Sequence, residues 1–124
     1  MEPILRLMAA SEAHAGFMVP QILRCIVPPL RLGQHTGVVE DGVLVAWASW
    51  AFMEPGLADR FLADEHKVQP EDWCSGDRLV FMDFIAPHGH AMPLYRRLRE
   101  LFGTQPAAWV RHTRNKRVEV FSEQ

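Results

Sequence analysis

The sequence predicts an α/β fold of the α+β kind, in which a mixed central sheet is flanked by helices. Three observations carry this expectation. Strand-like runs at 34–39, 43–52 and 79–86 alternate with helical apolar spacing at 54–68 and 92–102. Glu40-Asp41-Gly42 is a hairpin turn signal between the first two runs, which makes them antiparallel partners. Alternating segments at 107–112 and 118–121 surround the polar turn 113–116 and predict a closing hairpin. With an apolar helical segment in front, the order becomes α-β-β-α-β-α-β-β. A chain of 124 residues buries one core and not two, so residues 1–124 are expected to form a single domain.

Each element has its own local warrant. Ser11 is expected to cap a helix in which His14 lies in the first turn and Phe17, Met18, Gln21, Ile22 and Cys25 follow at helical spacing. Pro20 kinks or divides this helix, and Pro28-Pro29 should end it. The helix over 54–68 opens after Pro55. Residues 69–76 are rich in turn formers and lead into the strand 79–86, which stops at Pro87. Leu94, Tyr95, Leu98, Leu101 and Phe102 give the helix over 92–102 its apolar stripe, and Gly103 ends it. Trp47 and Trp50, three apart in one strand, should face opposite sides of the sheet.

Composition excludes several classes of function. A formal charge of -2 argues against a nucleic-acid partner and against binding to an acidic membrane surface. Cys25 and Cys74 are far apart and show no metal-ligand spacing, so neither a disulfide framework nor a metal site is expected. No apolar run reaches the roughly 20 residues that a membrane span requires, and the N-terminal residues lack the pattern of a secretory signal. The expectation is a cytoplasmic protein without an integral membrane segment.

The chemistry centres on Asp83. It interrupts the apolar strand 79–86, and a buried carboxylate needs a partner. Arg78, backbone N–H groups and His14 are the alternatives that the residues leave open. A second feature is the joint after the strand, where Pro87-His88-Gly89-His90-Ala91 precedes a helix. Free backbone N–H groups at such a joint favour an anionic group. His88 and His90 are read as loop residues beside it. Basic residues cluster at Arg96, Arg97 and Arg99, and again at Arg111, Arg114, Lys116 and Arg117. Short charge runs are commonly just a solvated face, but these also suit an acidic partner.

Several blocks in this order and spacing have a family likeness. They are Ser11-x-x-His14, Val45-Ala-Trp-Ala-Ser-Trp-Ala51, Glu71-Asp-Trp-x-Ser-Gly-Asp-Arg78 and Phe81-x-Asp-x-Ile-Ala-Pro-x-Gly89. Over about residues 5–102 the chain resembles the lysine acyltransferases that activate RTX toxins, with a GNAT-like domain. The resemblance implies transfer of a fatty acyl group from acyl carrier protein to an internal lysine of an RTX-type protoxin. It places the catalytic His on His14, the catalytic Asp on Asp83 and a supporting hydroxyl on Ser11. It further implies that 87–91 receives the carrier's phosphopantetheine arm, that a basic cluster docks the carrier, that no cofactor is permanently bound and that the enzyme forms a homodimer.

A lysine ammonium, with an ordinary pKa near 10.4, must lose a proton before its nitrogen can attack a thioester, and an imidazole is the side chain suited to accept one near neutrality. Either His14 is that base, with Asp83 orienting it, or His14 is itself acylated and relays the chain. The sequence also leaves open a GNAT-like acyltransferase using acyl-CoA and a small amine, and a binding module without turnover. The loop 87–91 lacks the glycine-rich pattern with which acetyltransferases hold CoA.

Overall fold

The computed structural model describes residues 1–111 and 117–121, with side chains described through Trp109. The chain runs α1 (Glu2–Ala10), α2 (Val19–Cys25), α3 (Val27–Leu32), β1 (His35–Glu40), β2 (Val43–Met53), α4 (Pro55–Leu62), a 3-10 turn (Pro70–Trp73), β3 (Arg78–Ile85), α5 (Ala91–Phe102), β4 (Ala107–Arg111) and β5 (Arg117–Phe121). The strands form one sheet in sequence order. All pairs are antiparallel except β3 with β4, so the sheet is mixed as expected, and the layout is consistent with a GNAT-like domain. The parallel register spans Leu79↔Ala107 to Phe81↔Trp109, and β3 continues beyond it to Ile85. The sheet therefore splays just before Asp83.

The N-terminal region departs from the helix expected to start at Ser11 and to be kinked or divided at Pro20, since α2 begins only at Val19 with Pro20 in its first turn. Ser11 is not an N-cap: it closes α1 with an extended backbone, φ -96° and ψ 121°, and its N–H bonds the Met8 carbonyl. His14 lies in a turn between α1 and α2, where its own N–H bonds the Ser11 carbonyl at 3.1 Å. Pro28-Pro29 does not end the helical region. Both prolines lie in α3, Pro29 accepting from the N–H groups of Gly33 and Gln34, and the first turn of a helix has no use for the N–H groups that proline lacks. The helix expected over 54–68 stops at Leu62, and Asp64 beyond it is left-handed with φ 63°. The β1–β2 turn is as expected, with Asp41 at φ 50° and Gly42 at φ 78°, the doubly left-handed geometry that a tight hairpin demands.

Two packed layers cover the sheet. On one face α5 lays Leu94 and Leu98 against Ala46, Ala48, Trp50, Leu79 and Phe81. On the other, α1 and Ile26 cover Trp47 and Ile85, while α4 and Trp73 cover Ala51, Met53, Val80 and Met82. Trp47 and Trp50 thus face opposite ways, as the strand period requires. Strand β3 breaks that period. Ser49 pairs with Asp83 but Trp50 pairs with Phe81, so Met82 is an extra residue in a β-bulge. The simple alternation would put Phe81 on the face of Asp83 and Met82 opposite. The bulge instead leaves Phe81 and Phe84 toward α5, and Val80, Met82 and Ile85 toward the other layer.

The distinctive block 71–78 is architectural. Asp72 accepts from the Gln69 N–H and contacts the His66 ring, both at 2.7 Å, and Trp73 is fully buried. Ser75 Oγ donates to the Asp72 carbonyl and accepts the Glu54 N–H. Gln34 ties the block to β2 by donating to the Trp50 and Trp73 carbonyls, while Cys74 Sγ donates to its Oε1. Gly76 passes so close to the 53–54 backbone that a Cβ there would sit 2.5 Å from Glu54 N and Cα. Gly76→Ala is therefore expected to cost about 2 kcal/mol or more in urea unfolding, since backbone cannot yield as a side chain can. Gly16→Ala, with nothing within 4 Å of its added methyl, should leave the midpoint nearly unchanged.

Candidate active site

The bulge and the turn after α1 meet at one point. His14 Nε2 lies 3.1 Å from Asp83 Oδ1, and Ser11 Oγ lies 2.8 Å from His14 Nδ1. His14 is 5% exposed and Asp83 1% exposed, while Ser11 is half-buried. Ser11 reaches His14 because the chain turns tightly here: the His14 and Ala15 N–H groups both bond the Ser11 carbonyl. The Phe17 ring, 5.2 Å from the imidazole, closes the other side. Arg78 takes no part, since its guanidinium pairs with Asp59 at 3.5 Å.

The chemistry of the three groups orders their protons. An ionised carboxylate only accepts, so His14 Nε2 carries the proton that faces Asp83. Nδ1 is then the lone-pair nitrogen, and the Ser11 hydroxyl donates to it. The result is a directed chain, Ser11 to His14 to Asp83, with an imidazole ready to take up a proton at Nδ1 and a carboxylate ready to balance it.

The other expected site residues fall elsewhere. Pro87 to His90 lie in the turn between β3 and α5, with Gly89 at φ 88°, and Ala91 is the first residue of α5. His90 is the residue before α5 but contributes no capping side chain; its Nε2 pairs with Glu40 Oε2 at 3.0 Å and ties the loop to the β1–β2 hairpin. Pro93 has no N–H, so the first turn of α5 presents those of Ala91 and Met92. His88 is exposed. Arg96 and Arg97 are exposed on α5, and Arg97 donates to Thr36 Oγ1 and pairs with Glu100. Arg99 is half-buried on the same helix. Arg111 and Arg117 lie on β4 and β5, their side chains outside the described part, and Arg114 and Lys116 lie outside the described residues.

Sequence reasoning missed His35 and Ser49. Both stand in a row with Asp83 across the sheet, through the pairs His35↔Ser49 and Ser49↔Asp83. The Trp47 indole N–H donates to His35 Nδ1 at 3.1 Å. Burial pushes His35 below its ordinary pKa of 6.5, and the N-terminal ammonium adds to this.

An α/β sheet that splays beside a buried His–Asp pair, with a helix start following the same strand, is consistent with a GNAT-like domain. The chain belongs to the RTX toxin acyltransferase family, whose model matches residues 1–122. It is 35% identical over 96 residues to a leukotoxin-activating lysine-acyltransferase of Aggregatibacter actinomycetemcomitans, a match covering 77% of this chain and 57% of that protein. With a protein-lysine myristoyltransferase of Escherichia coli it shares 34% identity over 96 residues, 77% of this chain and 55% of the relative. With an RTX-I toxin-activating lysine-acyltransferase of Actinobacillus pleuropneumoniae the figures are 30% over 117 residues, 94% and 68%. The chain thus spans little more than half the length of most of these relatives.

The lowered pKa of His35 sets a pH dependence. Below pH 6.5 the unfolded chain binds a proton at this residue that the folded chain resists, so its contribution to stability is complete above 6.5 and declines as the pH falls below it. Thermal melts at pH 7.5 and pH 5.5 should show a smaller acid-side loss of Tm for His35→Gln than for the unmodified chain.

Proposed function

We propose that this protein is a cytoplasmic lysine acyltransferase that moves a fatty acyl chain from acyl carrier protein to the side-chain amine of a lysine in an RTX-type toxin. One observation carries the reading, namely the hydrogen-bonded chain Ser11–His14–Asp83 in a member of this family. In the reaction the lysine, its ammonium proton first lost to solvent, attacks the thioester carbonyl as the neutral amine and displaces the carrier's thiolate. Its proton passes to Ser11 Oγ as the Ser11 proton passes to His14 Nδ1, so the hydroxyl is a relay and is regenerated. Asp83 balances the imidazolium, which then returns the proton to the departing thiolate. His14 acts as base in this scheme, its two ring nitrogens being engaged by Ser11 and Asp83.

The carrier's phosphopantetheine arm is assigned to 87–91, where the helix start favours a phosphate. Strand β3 runs two residues beyond Asp83 to Ile85, and Ala86 then leads into that turn. Arg96, Arg97 and Arg99 on α5, and the basic residues at 111–117, supply positive charge for an acidic carrier. The whole is read as a single domain that works as a homodimer.

Incubation with acyl-loaded carrier protein and a candidate toxin, followed by intact mass measurement, tests this directly. His14→Ala and Asp83→Asn should each lower the acylation rate by about 10²–10⁴-fold, the range for losing general-base action. Asp83→Asn keeps the shape but offers an amide N–H to Nε2, which reverses the tautomer. Ser11→Ala, which removes the relay and leaves Nδ1 open to the amine, should cost only about tenfold. Equal acylation by the unmodified chain and His14→Ala sinks the proposal, and transfer from acyl-CoA with none from the carrier would reassign the donor.

Raising the ionic strength supplies a further check on docking. The carrier's KM should rise with salt while the circular dichroism spectrum stays constant, because charge pairing between exposed groups is screened.

A further inference from the structure

We infer that the exposed apolar face of α2, formed by Met18, Val19 and Leu23, seats the hydrocarbon tail of the donor's acyl group. The inference deepens the proposed reaction and rests on His14 lying at its centre. The three side chains are 72%, 67% and 61% exposed. Val19 and Leu23, four residues apart, share one side of the helix, and Met18 stands at its start. The helix holds to the core through Ile22 and Cys25, both only partly buried. Single exposed apolar side chains need no explanation, whereas three that adjoin on one short helix mark a binding surface.

Two features say what covers this face. The first is continuity with the catalytic centre. The Ser11 carbonyl accepts the His14 N–H and the His14 carbonyl accepts the Phe17 N–H, each at 3.1 Å. Turns closed in this way keep their ends within about 7 Å, so Phe17 lies within about 14 Å of Ser11, and Met18 follows it. The Phe17 ring, 5.2 Å from the imidazole, is an apolar bridge between the two. One fatty chain reaches about 15 Å, half of the roughly 30 Å core of a bilayer, which matches this path and exceeds what a short acyl group covers. Ala15 and Gly16 lie exposed along the way, and a Cβ at Gly16 would meet nothing within 4 Å, so the path is open. The second feature is the absence of charge. No Asp, Glu, Lys or Arg occurs from residue 13 to residue 23, between Glu12 and Arg24. A docking protein segment needs partners for its polar groups, whereas a hydrocarbon tail needs none. Trp47 and Trp50, the other aromatic wall for a tail, are buried in the core.

The test uses the full chain with Met18→Ser and Leu23→Ser combined, surface changes that should leave Tm nearly unaltered. Rates are compared for acyl carrier protein bearing a long-chain acyl group and bearing an acetyl group. The double variant should lose about tenfold or more in kcat/KM with the long chain and stay within about twofold with acetyl, since each methylene left in water forfeits about fourfold. Gly16→Phe, which puts a ring into the open path, should discriminate in the same direction. A second readout needs no transfer. Carrier protein bearing an unreactive long-chain alkyl thioether should shift the Met18 and Leu23 methyl signals in the ¹³C spectrum, and carrier bearing a methyl thioether should not. Equal losses for the two chain lengths overturn the inference, as do unmoved methyl signals. Equal losses with a dimer converted to monomer in sedimentation would give the face to a second copy, and a raised toxin KM at both chain lengths would give it to the toxin; either overturns the inference. Failure of the transfer reading looks different, with acylation no faster than in His14→Ala while the methyl shifts persist.

Discussion

The contact between His14 and Asp83 joins residues 69 apart in the chain and places both almost wholly out of water. Such a pair does little for stability, because removing two ionisable groups from solvent offsets most of what they gain from each other. The fold must therefore hold it by other means. It does so through α1, whose Ile4, Leu7 and Met8 pack with Ile26 on Trp47 and Ile85. That packing fixes where α1 ends, and the turn carrying His14 begins at its last residue. Short backbone bonds from His14 and Ala15 to the Ser11 carbonyl then leave the imidazole few directions to point.

Asp83 is held by a different kind of constraint. Its direction follows from one inserted residue, Met82, which shifts the β2–β3 register and turns the carboxylate toward the helical layer. The same bulge falls where pairing with β4 ends, so the sheet opens beside the His14–Asp83 pair. Beyond Asp83 the strand runs on to Ile85, and the next few residues deliver the start of α5. One strand thus sets both the orientation of the carboxylate and the position of the proposed carrier site, and the His90–Glu40 pair secures that far end to the first hairpin.

Much of this was legible from residues. Strands, the tight Asp41-Gly42 turn and α5 carry strong local signals, and His14 and Asp83 were reached from a buried carboxylate and a family likeness. The errors share one cause, which is that register and helix ends are tertiary properties. Ser11 followed by Glu12 and Ala13 looks like a helix start, yet α1 had already formed before it. A serine at either end of a helix offers the same atoms, and only packing chooses between them. Simple alternation assigns Phe81 and Met82 the wrong faces because a bulge leaves no mark in an apolar run. His35 was hidden in the same way. Continuing the turn register without a slip puts it opposite Ala48, and the irregularity between Val38 and Val39 moves it to Ser49, into the row with Asp83.

The layer that presents His14 consists of helices of 9, 7 and 6 residues, each with proline in its first turns. Helices this short do not persist alone in water, since nucleation costs more than so few hydrogen bonds return. Their order is borrowed from the sheet face they cover. The two halves of the site accordingly differ in robustness: Asp83 is fixed by a hydrogen-bonded ladder, whereas His14 and Ser11 depend on how well three short helices settle on Trp47 and Ile85. A substitution that loosens this packing without unfolding the sheet would lengthen the His14–Asp83 contact first. The distance between these two side chains is thus the most sensitive measure of whether the chain has reached its working form.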